Sequence, residues 1–230
     1  IIVRGYISGS LWRQYEKGER KIYGIDFPDG LVKYQRLNEP IITPTLKSET
    51  DDPITVEELL NQNIVTKEEW AKIEDMALKL YTIGYIYCDE HGLILADTKY
   101  EFGYGPDNDI WLMDEIHTFD TSRFWLKETY QNNMEKELKP ESLDKDFIRD
   151  WILENNSYEL PDEMKEKLRQ IYIRVGSMLM PGFNEDYLMD EKLLLSESTS
   201  EMEEVANCVF KFIYFNISTY NGQKILKGTY

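Results

Sequence analysis

At 230 residues, 42% of them hydrophobic and 13% aromatic, the chain carries enough apolar surface for one large globular domain, or for a domain with an extension. Its formal net charge of −17 excludes the basic footprint that binds nucleic acid or an anionic membrane, so a small anionic substrate would need a local basic pocket. Cys88 and Cys208 stand far apart and form no metal-like pair, no apolar run approaches the roughly 20 residues of a membrane span, and the first residues lack a signal-peptide layout, so the expectation is a soluble protein of the reducing cytoplasm.

Residues 1–6 are strand-like, and a chain that opens there on Ile1, without a methionine, reads as a fragment or a processed piece. Gly5, Ser8, Gly9 and Ser10 lead into a short helix over residues 11–16 with Ser10 as its N-cap. A helix start with unsatisfied N–H groups, small residues and a nearby Arg4 suits an anion, and a phosphate would fit it, although a Gly-Ser cap by itself is ordinarily only a cap. Turn residues, among them Gly24 and Pro28-Asp29-Gly30, break residues 18–37 into short strands. Pro40 and Pro44 exclude a helix from residues 39–47 and leave a rigid extended segment.

Thr55 with Glu58, and Thr66 with Glu69, are capping boxes that each start a helix. After the second, Trp70, Ile73, Ala77, Leu80, Tyr81 and Gly84 recur at helical spacing, which predicts an amphipathic helix of about five turns ending shortly before Gly92. This stripe is core. His91 and His117 lie in different segments and offer no metal pair, and neither is read as a ligand.

Residues 93–102 are rich in β-formers, Gly103, Gly105, Pro106 and Asp107 break the run, and residues 110–113 resume it, the pattern of two antiparallel strands joined by a turn. Strand side chains alternate, so Asp97, Lys99 and Glu101 share one face while Thr98, Tyr100 and Phe102 share the other. Of the adjacent Asp114 and Glu115, only one can join the charged face, and Asp114 is the choice. Convergent carboxylates beside a lysine suit a hard cation with oxygen ligands, and Mg²⁺ commonly shares such ligands with a nucleotide phosphate. A solvated, salt-bridged strand face is the other reading of the same spacing. Residues 120–123 then form a loop that returns Arg123 to the site.

Two further helices are expected over residues 143–154 and 161–180, the second with Pro161 at its first position and Met164, Leu168, Ile171, Tyr172, Val175 and Leu179 on one face. Residues 185–204 carry eight acidic side chains against Lys192 alone and read as a solvated linker. Residues 209–217 are strongly apolar and either dock on the main domain or begin another.

Five ordered motifs carry a family resemblance. They are RGYISGS from Arg4, EPIITPTLK from Glu39, ADTKYEFG from Ala96 with Asp114-Glu115 behind it, TFDTSRFW from Thr118, and LDKDFIRDW from Leu143. In this order, over roughly residues 1–180, they resemble phosphoribosylaminoimidazole-succinocarboxamide synthase, the SAICAR synthetase family. The resemblance implies an α+β fold related to ATP-grasp and kinase-like enzymes, with a central antiparallel hairpin or sheet packed by helices. Residues 1–180 would form the substrate-binding and catalytic lobe, and residues 181–230 an acidic linker and extension of unassigned role. It implies a carbon–nitrogen ligase that uses ATP and Mg²⁺ to phosphorylate the carboxylate of carboxyaminoimidazole ribonucleotide, the amine of L-aspartate then displacing the phosphate to give SAICAR in purine biosynthesis.

Carried onto matching positions, the resemblance gives the ribose phosphate to Arg4, Ser10 and Arg123, Mg²⁺ to Glu101 and Asp114, and the charge developing at the substrate carboxylate to Lys99. Asp97 would accept hydrogen bonds from the aminoimidazole or orient Lys99, and Lys47 would contact a nucleotide or acyl phosphate. No matching position marks the aspartate site. The chain departs from the family at Asp51, where a histidine is usual, and at Phe119, where proline is usual. The family's amino-terminal nucleotide lobe would precede Ile1, so weak or no turnover is expected of the chain alone. A catalytically dead nucleotide-binding module and a kinase-like phosphotransferase remain as readings of other classes.

Overall fold

A computed structural model describes residues 1–46, 52–119, 121–144, 146–157 and 160–180. Strand β1 (Ile2–Tyr6) runs into helix α1 (Gly9–Glu16), and the short strands β2 (Lys21–Ile22) and β3 (Ile25–Asp26) pair with each other. Then come β4 (Arg36–Thr43), α2 (Val56–Asn61), α3 (Lys67–Glu90), β5 (Leu93–Lys99), β6 (Glu101–Tyr104), β7 (Ile110–Met113), β8 (Ser122–Leu126), α4 (Lys127–Glu135), α5 (Asp146–Asn155) and α6 (Asp162–Leu179). A four-stranded antiparallel sheet has the order β4-β1-β5-β8, while β6 and β7 form a hairpin of their own. The α+β expectation holds. No helix among the described residues is long and apolar enough to cross a membrane.

Local chemistry accounts for the helices beneath the sheet. In both capping boxes the threonine hydroxyl accepts from the glutamate N–H, at 3.1 Å for Thr55 and 3.2 Å for Thr66, and the glutamate carboxylate accepts from the threonine N–H in return. Helix α3 runs 24 residues, nearly seven turns, longer than the stripe alone predicts because it continues through buried Cys88 before Gly92 turns the chain at φ 79°. Its buried face, Trp70, Ile73, Ala77, Leu80, Tyr81 and Gly84, packs with Leu93, Leu95 and Phe124 of the sheet and with Leu168, Tyr172, Val175 and Leu179 of α6. Each fully buried leucine here stabilises the fold by about 1.5–3 kcal/mol. The sheet's other face carries a smaller cluster of Tyr6, Ile94, Ala96 and Trp125.

Several expectations need correction. Residues 93–102 are not one strand: β5 ends at Lys99 in the central sheet, and only β6 pairs with β7. The change of partner occurs at Tyr100, which is fully buried, donates its N–H to the Ile1 carbonyl at 2.9 Å and shares a 2.5 Å hydrogen bond between its hydroxyl and His117 Nε2. Ser8, not Ser10, is the N-cap of α1. Arg123 stands inside β8 rather than in a loop. Helix α5 begins at Asp146 and Pro161 is the N-cap of α6. Helix α4 was not foreseen. Lys47, Asp51, Asp120 and residues 181–230 lie outside the described residues.

Candidate active site

Four of the predicted site residues meet around one carboxylate. Asp97 on β5 lies in register with Arg4 of β1 on one side and with Arg123 of β8 on the other. Arg123 Nη1 donates to both Asp97 oxygens, at 2.9 and 2.8 Å, and Arg4 Nη1 approaches Oδ2 at 3.6 Å. Arg4 Nη2 donates to the Ser10 hydroxyl at 2.9 Å, and Arg4 Nε donates to Thr43 Oγ1 on β4 at 3.0 Å. The Arg4 side chain is 1% exposed and that of Asp97 4%, whereas Arg123 keeps 20%. The cluster is therefore a buried brace with one arginine reaching the surface.

Ser8 and Gly9 complete it, and reading the sequence singled out neither as a site residue. The Ser8 hydroxyl donates to Asp97 Oδ2 at 2.8 Å instead of capping α1, so no side chain covers the first N–H groups of that helix. Gly9 takes φ 55°, and a Cβ there would lie 3.0 Å from both Arg123 Nη atoms. Only glycine meets both demands at low cost. The signal was present in the small residues of YISGS ahead of a helix start, but the partner of Ser8 lies 89 positions away.

Burial alone would raise the Asp97 pKa, but the Arg123 and Arg4 charges and the hydrogen bonds from Ser8 and Arg123 hold its carboxyl below the usual value of 3.8. Burial lowers the Arg4 guanidinium from its ordinary value, against the pull of Asp97. Two guanidiniums around one carboxylate leave an excess positive charge beside a helix N-terminus, an environment that accepts a phosphate monoester.

A second group lies along the hairpin. Lys99 Nζ pairs with Glu101 Oε1 at 2.9 Å, the two side chains being 32% and 15% exposed. Asp114 follows Met113, the register partner of Glu101, and is exposed at φ 65°. Glu115 instead accepts a hydrogen bond from the Thr118 hydroxyl and is tied into its own loop. That loop is anchored by His117, which burial pushes down to about pKa 4 and keeps neutral, with its ring against Gly84 of α3. Among the described residues no group of three His, Cys, Asp or Glu side chains is gathered as a metal cage. Glu101 and Asp114 are oxygen donors suited to a Mg²⁺ ion that draws its other ligands from water and phosphate.

Comparison with known proteins gives this geometry its relatives. The family described as SAICAR synthetase matches residues 1–167. The phosphoribosylaminoimidazole-succinocarboxamide synthase of Legionella pneumophila strain Paris is 44% identical over 191 residues, covering 78% of this chain and 61% of its own length. Among solved structures, SAICAR-synthase from Saccharomyces cerevisiae complexed with SAICAR is 35% identical with a TM-score of 0.64, over 77% of this chain and 58% of that one. A type-2 SAICAR synthetase in complex with ADP is 28% identical with a TM-score of 0.57, over 80% and 63%. The chain spans between 50% and 66% of the length of curated relatives such as these.

Proposed function

The chain belongs to the SAICAR synthetase family, and on that premise we propose that residues 1–180 form the nucleotide-substrate side of an ATP-dependent ligase. It would join the amine of L-aspartate to the carboxylate of carboxyaminoimidazole ribonucleotide in cytoplasmic purine biosynthesis. The observation that carries the reading is the brace of Arg4, Asp97 and Arg123 at the open start of α1. A ribose phosphate seated there would receive the Arg123 fork, the Ser10 hydroxyl and the first N–H groups of the helix. Hydrogen bonds of this charge-assisted kind contribute about 1.5–3 kcal/mol each.

Asp97 serves the two arginines in this reading. By accepting from Arg123 and Ser8 and lying beside Arg4, it fixes where the positive charges sit before substrate arrives, so little reorganisation accompanies binding. The imidazole carboxylate would then extend toward Lys99. Its ammonium, placed by Glu101 at 2.9 Å, would offset the negative charge gathering there as the γ-phosphoryl group of ATP is transferred. The amine of aspartate would next attack the carbon of the acyl phosphate so formed; the C–N bond forms, the C–O bond to the departing phosphate breaks, and the nitrogen gives up one proton to solvent or to that phosphate. Glu101 and Asp114 would hold Mg²⁺, whose chemistry is to neutralise phosphate charge and bring two anions together.

The test is calorimetric titration of this chain with carboxyaminoimidazole ribonucleotide, wild type against Arg123→Ala. Saturable binding that weakens at least about tenfold in the variant is the expected result. A folded wild-type chain that binds no nucleotide, or a variant that binds as well, would overturn the assignment of this pocket.

A further inference from the structure

Tyr81 belongs to the α3 stripe that the sequence marks as core, yet its hydroxyl has a specific task. Its side chain is buried, and the hydroxyl donates to the Leu95 carbonyl on β5 at 2.8 Å. A phenylalanine would fill the same space without the cost of desolvating a hydroxyl. Room for that hydroxyl exists only because residue 5 on β1 is glycine, since a Cβ there would collide with it.

Leu95 is the last regular residue before a bulge. It pairs with Phe124, whereas Asp97 pairs with Arg123, so Ala96 is an extra residue on β5. The extra residue reverses which way β5 faces. Leu93 and Leu95 enter the core beneath α3 with Phe124. Ala96 joins Ile94 and Trp125 on the opposite face, and Asp97 emerges on that face opposite Arg123. Uninterrupted alternation from Leu95 would send Asp97 into the apolar core under α3, away from both arginines. The pairing of β1 with β4 is also irregular between Arg4 and Tyr6, so the Tyr81 hydroxyl sits where two of the brace's three strands, β1 and β5, leave regular geometry.

We infer that Tyr81 is a positioning residue. Through its hydrogen bond to Leu95, accommodated by Gly5, it holds the β5 bulge that aims Asp97 at Arg123 and Arg4, and so sets the anion pocket from the far side of the sheet. The inference rests on the nucleotide-binding reading for its ligand, but the placement of Asp97 can be measured without one.

The experiment compares wild type, Tyr81→Phe, Gly5→Ala and Tyr87→Phe by two readouts, with a cooperative melt required of each. One is calorimetric affinity for carboxyaminoimidazole ribonucleotide. The other is the titration midpoint of the Asp97 carboxyl, followed by ¹³C NMR in the absence of ligand. Tyr81→Phe is expected to bind about tenfold more weakly and to raise the Asp97 midpoint by about one pH unit as its arginine partners lose alignment. Gly5→Ala, which displaces the hydroxyl without removing it, moves both in the same direction. Tyr87→Phe removes a hydroxyl of the same helix that donates to the Leu179 carbonyl at 2.6 Å, away from the strands of the brace, and leaves both readouts at wild type. A Tyr81→Phe variant with wild-type affinity and midpoint would overturn the inference, as would an equal change in Tyr87→Phe, which would reveal a general loosening of α3. If wild type itself binds no nucleotide, the functional reading fails, and the Asp97 midpoints still decide the role of Tyr81.

Discussion

The arginine brace and the hairpin edge hold similar charges in opposite ways. Asp97 is buried, lies between two guanidiniums and also accepts from a serine hydroxyl. Glu101 and Lys99 are partly open to solvent and paired with each other, and Asp114 is exposed. A buried, fully bonded cluster is set before any ligand arrives, and disturbing one member strands another in low dielectric. A partly exposed pair can exchange partners at lower cost. The difference matches the two tasks proposed for them, which are to hold one phosphate in a fixed place and to receive phosphates that come and go.

The sharpest way to break the comparison is Asp97→Ala, which leaves two arginines without their shared carboxylate. Chemical denaturation should show a loss of about 3–5 kcal/mol, and a loss below about 1 kcal/mol would mean that the brace is no more demanding than the edge. Next in size is the response to acid. His117 is buried with its pKa lowered to about 4, so below pH 6.5 the unfolded chain binds a proton that the folded chain refuses. Stability should therefore fall by about 3 kcal/mol as the pH drops from about 6.5 to about 4. Denaturation series across that window in wild type and His117→Gln would show a much smaller slope in the variant, the remainder belonging to carboxylates such as Asp97 that the fold holds below their usual pKa.

Gly9→Ala should cost about 1–2 kcal/mol, from its positive φ and its approach to Arg123, and should weaken phosphate binding in the same calorimetric assay. Smallest is Glu101→Gln. Loss of the Lys99 pair should alter stability by less than about 1 kcal/mol while reducing the affinity for Mg²⁺ with ADP, and a large destabilisation would place the edge in the same class as the brace.

Local signals made much of this legible in the sequence. Both capping boxes, the α3 stripe and the β6–β7 turn depend on residues within a few positions of one another, and each is present in the structure. The alternation from Asp97 onward also holds, with Thr98 and Tyr100 buried and Lys99 paired to Glu101. The bulge at Ala96 was not legible. Leu93 through Thr98 are all buried, so apolar residues occupy both faces and no period marks where facing reverses. Only pairing with β8 reveals it. Ser8 escaped because its hydroxyl serves a carboxylate on another strand, and α4 escaped because it buries no residue and so shows no apolar stripe. The motifs brought Arg4, Ser10, Asp97 and Arg123 to notice as neighbours of a ligand, while their dependence on one another came from the register of three strands.

The turn of the hairpin is fastened to α3 by Lys72 and Asp109, whose ion pair of 2.6 Å lies in the open, each side chain more than half exposed. Dissolved ions compete for such a clasp, and at physiological ionic strength the Debye length is only about 8 Å. Ionic strength thus becomes a dial that acts on one end of the molecule. Raising it should loosen the hairpin tip and speed amide exchange there, while the buried pairing of Asp97 with Arg4, whose side chains are 4% and 1% exposed, keeps its protection.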